Sequence, residues 1–506
     1  MEGNLQRRVA GAARWSVAAE VAAKLVSLGV NMLLARLVAP AAYGVLATAM
    51  MVTSFADLFT DAGFQKYLIQ HEFADDASRA DAASVAFWTN LLFSFALWGV
   101  ICLLRDPIAA FAGSPGYGAV VAVACAQLPF TAFTSIGMAL LRRALDSRRL
   151  FFLRMAQSAV PLFVTVPLAL LGLSHWALVL GTLAGHVVNA AVLLLSAPWR
   201  PRLFFRLGVL RDMLSFSFWT MLEAVSIWAC SWFDIFLIGN AFSEYYLGLY
   251  RNSVNNAGAL IALVTTPIYT VLFSGLSRLQ EDAGAFARLF YTTLQSLAFI
   301  VFPMGVGLFL YRGLATDVLL GSQWTEAVPI VGLWALSSAI MSVVSSPCSE
   351  VLRARGLPRV SLFCQMIKLV LSVAACLWAI PHGFFAAVCA CVAMRFSLPV
   401  VLWAAMRLRC GFRIADLFRT LWKPTICTAM MAGLAVLLQR LGGGTLWSWC
   451  SIGLCALFYA LLLLLFARRE VRELAAWLLP GRAGRDTDAS PKNADAAHNR
   501  EGGASD

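Results

Sequence analysis

Charge is scarce in this chain. Asp, Glu, Lys and Arg make up only 13% of its 506 residues, whereas 60% are hydrophobic. A water-soluble fold could not hide that much apolar surface, so the scarcity excludes one and leaves a polytopic membrane protein. Short alternating stretches of the kind a membrane β-barrel needs are also missing. The apolar runs are continuous over about 20 residues, the length at which a helix crosses a bilayer while satisfying its own backbone. The fold class is therefore all-α. Neither G-x-x-x-x-G-K-S/T nor H-E-x-x-H occurs, which removes P-loop hydrolysis and zincin chemistry. Nearly all of the twelve cysteines, from Cys102 to Cys455, lie inside apolar runs without zinc spacing, and read as small core residues. Cys410, beside Arg409, reads as a free reduced thiol on the cytoplasmic side. An Asp486-x-Asp488 pair in a polar tail is too little to hold a metal. No metal and no cofactor are expected.

The apolar runs place fourteen spans near residues 14 to 35, 42 to 66, 83 to 104, 117 to 140, 151 to 172, 175 to 196, 211 to 239, 246 to 275, 289 to 310, 326 to 351, 360 to 380, 383 to 405, 421 to 439 and 445 to 466. The first follows Arg7, Arg8 and Arg14 but carries Glu20 and Lys24 and lacks a small-residue cleavage site, so it stays in the mature protein. Alternate loops and the N-terminal segment hold 24 basic residues, among them Arg142, Arg143, Arg148, Arg149 and Arg154. The opposite connections hold only Arg36, Arg105, Arg251, Arg312 and Arg440. Because Lys and Arg are retained on the cytoplasmic side, both termini are expected there. The net charge of +12 is then topological, and no nucleic-acid partner is implied. After Phe466, residues 468 to 480 read as a short amphipathic surface helix and 481 to 506 as a disordered tail.

The chain repeats itself. Leu33 to Leu46, LLARLVAPAAYGVL, puts Pro40 and Gly44 between two apolar runs, a helix end and a new helix start. An ungapped echo stands 204 positions later at Leu237 to Tyr250, LIGNAFSEYYLGLY, with Gly248 where Gly44 falls. Leu141-Arg142-Arg143 and Leu352-Arg353-Ala354-Arg355 echo each other at an offset of 211. Duplicated halves with helices in the same order predict parallel repeats about an axis along the membrane normal. The expected organisation is an N-terminal lobe over 1–196, a cytoplasmic linker over 197–210 and a C-terminal lobe over 211–405. Two further helices over 421–466 and a cytoplasmic tail over 467–506 complete it.

The few charges inside the spans carry the functional signal, because each costs about 2.5–3.5 kcal/mol at bilayer depth on insertion scales and faces a wet cavity or a partner. Glu20 and Lys24 share a helix face in the order that favours an ion pair, and Asp57 and Asp61 share one with like charge. A cation, a proton or a basic side chain between those two acids would relieve their repulsion. Glu223 and Asp234 are further buried acids, with Asp234 a second exchange point or a partner of Arg251. Lys368 and Arg395 sit near the middle of their spans, too deep to snorkel, and are expected to face a cavity or an anion. Asn189, Asn252, Asn255 and Asn256 add neutral hydrogen-bonding capacity. Trp219, Trp228, Trp232, Tyr269 and Trp334 could stack on sugar rings or simply pack.

The turn Ala35-Arg36-Leu37-Val38-Ala39-Pro40-Ala41-Ala42-Tyr43-Gly44 resembles the Wzx-type lipopolysaccharide and exopolysaccharide flippases. So do Phe55-Ala56-Asp57-Leu58, Asp61-Ala62-Gly63-Phe64, Leu68-Ile69-Gln70, Asp234-Ile235-Phe236-Leu237-Ile238-Gly239 and Gly321-Ser322-Gln323-Trp324. These flippases belong to the multidrug, oligosaccharidyl-lipid and polysaccharide exporter superfamily, and the resemblance covers about residues 5 to 465. It implies two pseudo-symmetric six-helix lobes plus two C-terminal helices in a bacterial inner membrane. It also implies alternating access that moves an undecaprenyl-pyrophosphate-linked oligosaccharide from the cytoplasmic to the periplasmic leaflet, for assembly of O-antigen, capsule or exopolysaccharide. The implied partners are the lipid-linked oligosaccharide, membrane lipids, H+ or Na+, and a polysaccharide polymerase with its chain-length machinery.

On depth and charge, Lys24, Arg251, Asn255, Lys368 and Arg395 are the substrate candidates, and Glu20, Asp57, Asp61, Glu223 and Asp234 the ion-coupling candidates. A multidrug or cation antiporter of the same superfamily is the alternative, disfavoured by bases at depth. A membrane glycosyltransferase or polymerase is the distant one, disfavoured because the longest outer connection, near 311 to 325, leaves no room for a catalytic loop. The chain is expected not to be an enzyme.

Overall fold

The computed structural model describes residues 21–468, apart from 62–63, 72, 74, 145 and 197–200. Among them there is no strand, and thirteen helices are long and apolar enough to cross a membrane. They are α2 (Pro40–Asp61), α3 (Asp76–Leu103), α4 (Gly118–Arg143), α5 (Ser147–Leu170), α6 (Ser174–Ser196), α7 (Leu207–Ala241) and α8 (Glu244–Arg278). Then follow α9 (Ala283–Leu310), α10 (Ser322–Ala354), α11 (Pro358–Ala379), α12 (Phe384–Cys410), α13 (Ile414–Leu441) and α14 (Thr445–Phe466). The first expected span lies partly outside the described residues, and its described part, α1, is helical over 21–37. This is a polytopic all-α membrane protein. The expected surface helix after Phe466, apart from its first residue Arg468, and the tail lie outside the described residues.

The second span was expected to run to residue 66; α2 is helical to Asp61 and a helix over Phe64–Gln70 follows, with residues 62–63 between them outside the described residues. One reading needs correction, that of the outer connections. Two outer connections expected as plain loops carry the helices Arg105–Phe111 and Arg312–Leu319. The second of these packs Thr316 and Leu319 inward, so both are buried. Helices α7 and α8 are each 35 residues long, and their ends lie within four residues of the expected spans.

The chain divides into two compact units, Met1–Arg419 and Thr420–Asp506. In the second, Trp447 Nε1 donates to the Leu438 carbonyl at 2.8 Å across the turn between α13 and α14. The first has its largest apolar core where the two echoed turns meet: Leu34, Val38 and Tyr43 from one, Ile238, Leu247 and Tyr250 from the other. Helices α2 and α8 cross there with no side chain between them. A Cβ placed on Gly44 would lie 1.9 Å from the Glu244 carbonyl oxygen, and one on Gly248 would lie 1.8 Å from that of Pro40. The offset of 204 carries Pro40 onto Glu244 and Gly44 onto Gly248, so the contact is reciprocal. The repeated sequence has come to face its own copy.

The segment Gly321-Ser322-Gln323-Trp324 locks this crossing. Helix α1 ends just before Pro40, leaving its last carbonyls without intrahelical donors. Trp324, fully buried, donates from Nε1 to the Ala35 carbonyl at 2.8 Å, and the Gln323 amide donates to the carbonyls of Ala35 and Val38. The indole also meets Tyr43 edge-on at 5.4 Å. Gly321 makes the approach with φ +97, a conformation glycine adopts without strain.

Candidate functional site

Beside the crossing lies a cavity of about 350 Å³ between α1, α2, α5, α6 and α8. Its floor comes from one turn of α8, where Arg251, Asn252 and Asn255 lie within a helical turn of one another and present polar groups to one space. Tyr43 and Asn31 face them. Several of these groups have no partner within the chain: Arg251 Nε, Asn252 Nδ2 and Tyr43 Oη are buried without one. The Asn252 amide is held in register because its Oδ1 accepts from Asn256 Nδ2 at 2.8 Å, and that same nitrogen also donates to the Asn252 carbonyl. The chamber is thus lined by unused hydrogen-bond donors, a suitable lining for an acceptor-rich ligand such as a phosphate.

The Arg251 guanidinium stacks over the Trp232 ring at 4.5 Å. Trp232 in turn lines an apolar groove of about 840 Å³, together with Phe55, Phe59, Phe93, Trp228 and Phe236. One residue pair therefore stands between a polar chamber and an apolar groove.

Farther along α7 and α8 the other buried cations collect. Asp234 accepts from the Tyr250 hydroxyl at 2.7 Å, and its second oxygen accepts from the Ile235 N–H. Arg395 lies over Trp334 at 4.1 Å, donates from Nη2 to Ser338 Oγ at 3.2 Å, and leaves Nη1 without a partner in the chain. Lys368 sits over Phe233 at 5.5 Å. Arg251, Lys368 and Arg395 all lie within electrostatic reach of Asp234, so three cations surround one carboxylate. The cluster carries excess positive charge at membrane depth, where an anion would be bound strongly.

The structure therefore gathers Arg251, Lys368, Arg395 and Asp234 in one charged cluster and places Asn255 beside Arg251 in the chamber. It does not bring Lys24 to them: that ammonium donates to Thr266 Oγ1 at 2.7 Å, tying α1 to α8. Glu20 lies outside the described residues, and so do the side chains of Asp61 and Glu223. Asp57 accepts from Thr131 Oγ1 at 2.9 Å and lines a separate cavity of about 280 Å³ between α2, α3, α4 and α6. Tyr43, Asn90, Thr131, Gln157 and His186 were missed in the sequence. The signal available for them was only polarity inside an apolar run, the one that did single out Asn189.

The chain has known relatives. The sequence model of the polysaccharide biosynthesis protein family matches residues 33–329, more than half of the chain. The chain belongs to that family. Its turn, its GSQW segment up to Trp324 and Arg251 all lie within the matched stretch. Among relatives of the polysaccharide biosynthesis protein, the succinoglycan biosynthesis transport protein ExoT of Rhizobium meliloti (strain 1021) is 24% identical, covering 87% of this chain and 90% of its own. The lipopolysaccharide biosynthesis protein WzxC of Escherichia coli (strain K12) is 22% identical over 74% of this chain and 75% of its own. Among solved structures, a lipid II flippase MurJ in an inward closed conformation superposes with a TM-score of 0.76 at 13% identity, covering 90% of this chain and 99% of that one. An inward-facing multidrug resistance MATE family transporter of the MOP superfamily gives 0.64 at 14% identity, covering 77% and 94%. These two likenesses are of fold. The resemblance read from the turn and the GSQW segment holds.

Proposed function

We propose that this polysaccharide biosynthesis protein is a flippase for a lipid-linked oligosaccharide, moving it by alternating access from the cytoplasmic to the periplasmic leaflet of a bacterial inner membrane. One observation carries the reading: the pair Arg251–Trp232 stands where a donor-lined chamber meets an apolar groove. A polyprenyl-pyrophosphate saccharide has the same order of parts, a polar glycan, an anionic linker and an apolar tail. Arg251 meets the linker, with Lys368 and Arg395 adding positive charge nearby, the chamber receives polar atoms and the groove receives hydrocarbon. The transport relatives support this reading. A cationic drug, the cargo of the rival antiporter reading, would be repelled by three bases around one acid. The role proposed is transport and not enzymatic conversion.

The test is reconstitution. Purified protein in liposomes loaded with a fluorescent polyprenyl-pyrophosphate oligosaccharide should bring the glycan into reach of an external lectin far faster than empty liposomes do, and equal rates would remove the reading. An imposed H+ or Na+ gradient in the same vesicles reads out coupling.

The loop arginines support cytoplasmic termini. Reporter fusions after Leu441 and after Phe466 should therefore report opposite sides, the first outside and the second inside. The same side for both would break the fourteen-span topology.

A further inference from the structure

The second cavity, the one Asp57 lines, is chemically the opposite of the first. Where the Arg251 chamber offers unused donors, this one offers unused acceptors. Asn90 Oδ1 and Asn189 Oδ1 have no partner within the chain, in residues that are 1% and 5% exposed. The orientation of Asn90 is fixed by its neighbours: Nδ2 donates to Ser135 Oγ at 2.9 Å, and that hydroxyl donates onward to the Ala132 carbonyl. Oxygen is thus the free end of the amide. A buried acceptor left unmet costs about 1–3 kcal/mol, so two in one wall are a poor arrangement for the empty protein. The Asp57 carboxylate adds further acceptor capacity, and His186 and Arg142 complete the polar lining.

Size and charge decide what these acceptors meet. A volume of about 280 Å³ is room for about nine waters at ~30 Å³ each. That is far beyond a bare ion and close to the lower limit of small-molecule pockets, about 300 Å³. Arg142 in the same wall also opposes a cation, whereas neutral hydroxyl groups meet carboxylate, amide and guanidinium alike. The cavity adjoins the donor-lined chamber, and Gln157 on α5 lines both. We propose that the Asp57–Asn90–Asn189 cavity is a saccharide subsite, in which sugar hydroxyls of the transported glycan donate to Asn90, Asn189 and Asp57 while the anionic linker stays with Arg251. This rests on the flippase reading. It adds that recognition of the sugar is seated between α2, α3, α4 and α6, apart from recognition of the phosphate.

The experiment measures binding to the full-length protein in lipid nanodiscs, using two probes: polyprenyl pyrophosphate alone, and the same lipid carrying a neutral oligosaccharide from the host cell. The native protein should hold the glycan-bearing lipid about tenfold more tightly, the scale of one or two net hydrogen bonds. The Asn90→Leu, Asn189→Leu double variant should lose that preference while holding the bare lipid as before. Equal affinity of the native protein for both probes would overturn the subsite and leave the flippase reading standing. Binding of neither would overturn both. Equal weakening for both probes in the double variant would make the two amides structural and end the proposal. If exchange of potassium for sodium shifts binding in the native protein, and the double variant abolishes that shift but keeps the glycan preference, the cavity is a cation site and the proposal falls. Should the double variant fail to fold, Gln157→Met at the half-buried join reads the same ratio, with a fall supporting the subsite and no change overturning it.

Discussion

Gly44→Ala and Gly248→Ala should each deplete the folded protein from the membrane several-fold, although each adds only one methyl group. The added Cβ would stand 1.9 Å or 1.8 Å from a backbone carbonyl oxygen of the facing helix. A backbone atom cannot swing aside like a side-chain tip, so α2 and α8 would have to separate along their whole contact. Overpacking of a core costs about 1–3 kcal/mol when side chains can adjust, and here the cost should reach or exceed that upper end. Losses of 1–2 kcal/mol already change cellular abundance several-fold. The control is Gly258→Ala on the same α8, where nothing lies within 4 Å of the added carbon. That variant should be as abundant as the native protein. Quantitative blotting of membrane fractions, together with the melting temperature of the purified variants, checks all three. Normal abundance of Gly44→Ala would mean that the two helices are not packed backbone to backbone.

Arg251→Gln should abolish most transport and spare abundance. The side chain stacks on Trp232 and carries a buried Nε–H that the chain leaves unused. Hydrogen bonds to charged groups are worth about 1.5–3 kcal/mol, so losing the contact with a phosphate oxygen should slow transport by roughly 10- to 100-fold. Glutamine keeps much of the stem and a polar head, so packing against the indole is largely preserved. Arg251→Lys should recover only part of the activity, because an ammonium is a point charge without the planar fork. The lectin-access assay in liposomes reads the rate, and blotting reads the abundance. A native rate in Arg251→Gln would place the anion elsewhere, with Arg395→Gln as the next variant to measure.

Much of the fold could be read before any coordinates, because hydropathy marks a span whatever its neighbours are. The turn at Pro40 and its echo were legible for a similar reason, a glycine at a fixed place between apolar runs. Legibility failed where the answer depended on which side of an apolar helix faces inward. Helices such as α4 and α6 are apolar nearly all round, so nothing in their sequence says that Thr131, His186 and Asn189 converge on one cavity. Asn90 and Gln157 were missed for the same reason. Asp234 shows the limit differently. Its depth suggested an ion-exchange role or a pairing with Arg251, and Arg251 does lie in electrostatic reach, but the hydrogen bond it accepts from the Tyr250 hydroxyl, sixteen residues along, was not legible. Gln323 and Trp324 were noticed as a pattern, but their partners at Ala35 and Val38 lie almost 290 positions away, beyond local reasoning.

That distance also sets an order of assembly. Ribosomes add about 5–20 residues per second, so the stretch between Ala35 and Trp324, a separation of 289 residues, takes roughly 15 to 60 s to make. Throughout that interval the first helix is already synthesised while the indole that will cap its end does not yet exist. The opening turn must therefore wait, held by water, lipid or a membrane chaperone, until the tenth helix arrives. A nascent chain arrested just before Trp324 should leave a cysteine placed at Val38 open to a water-soluble maleimide, and one arrested after α10 has emerged should not. The end of the first helix would then be closed by side chains that arrive late, after the crossing of α2 and α8 has already been made possible.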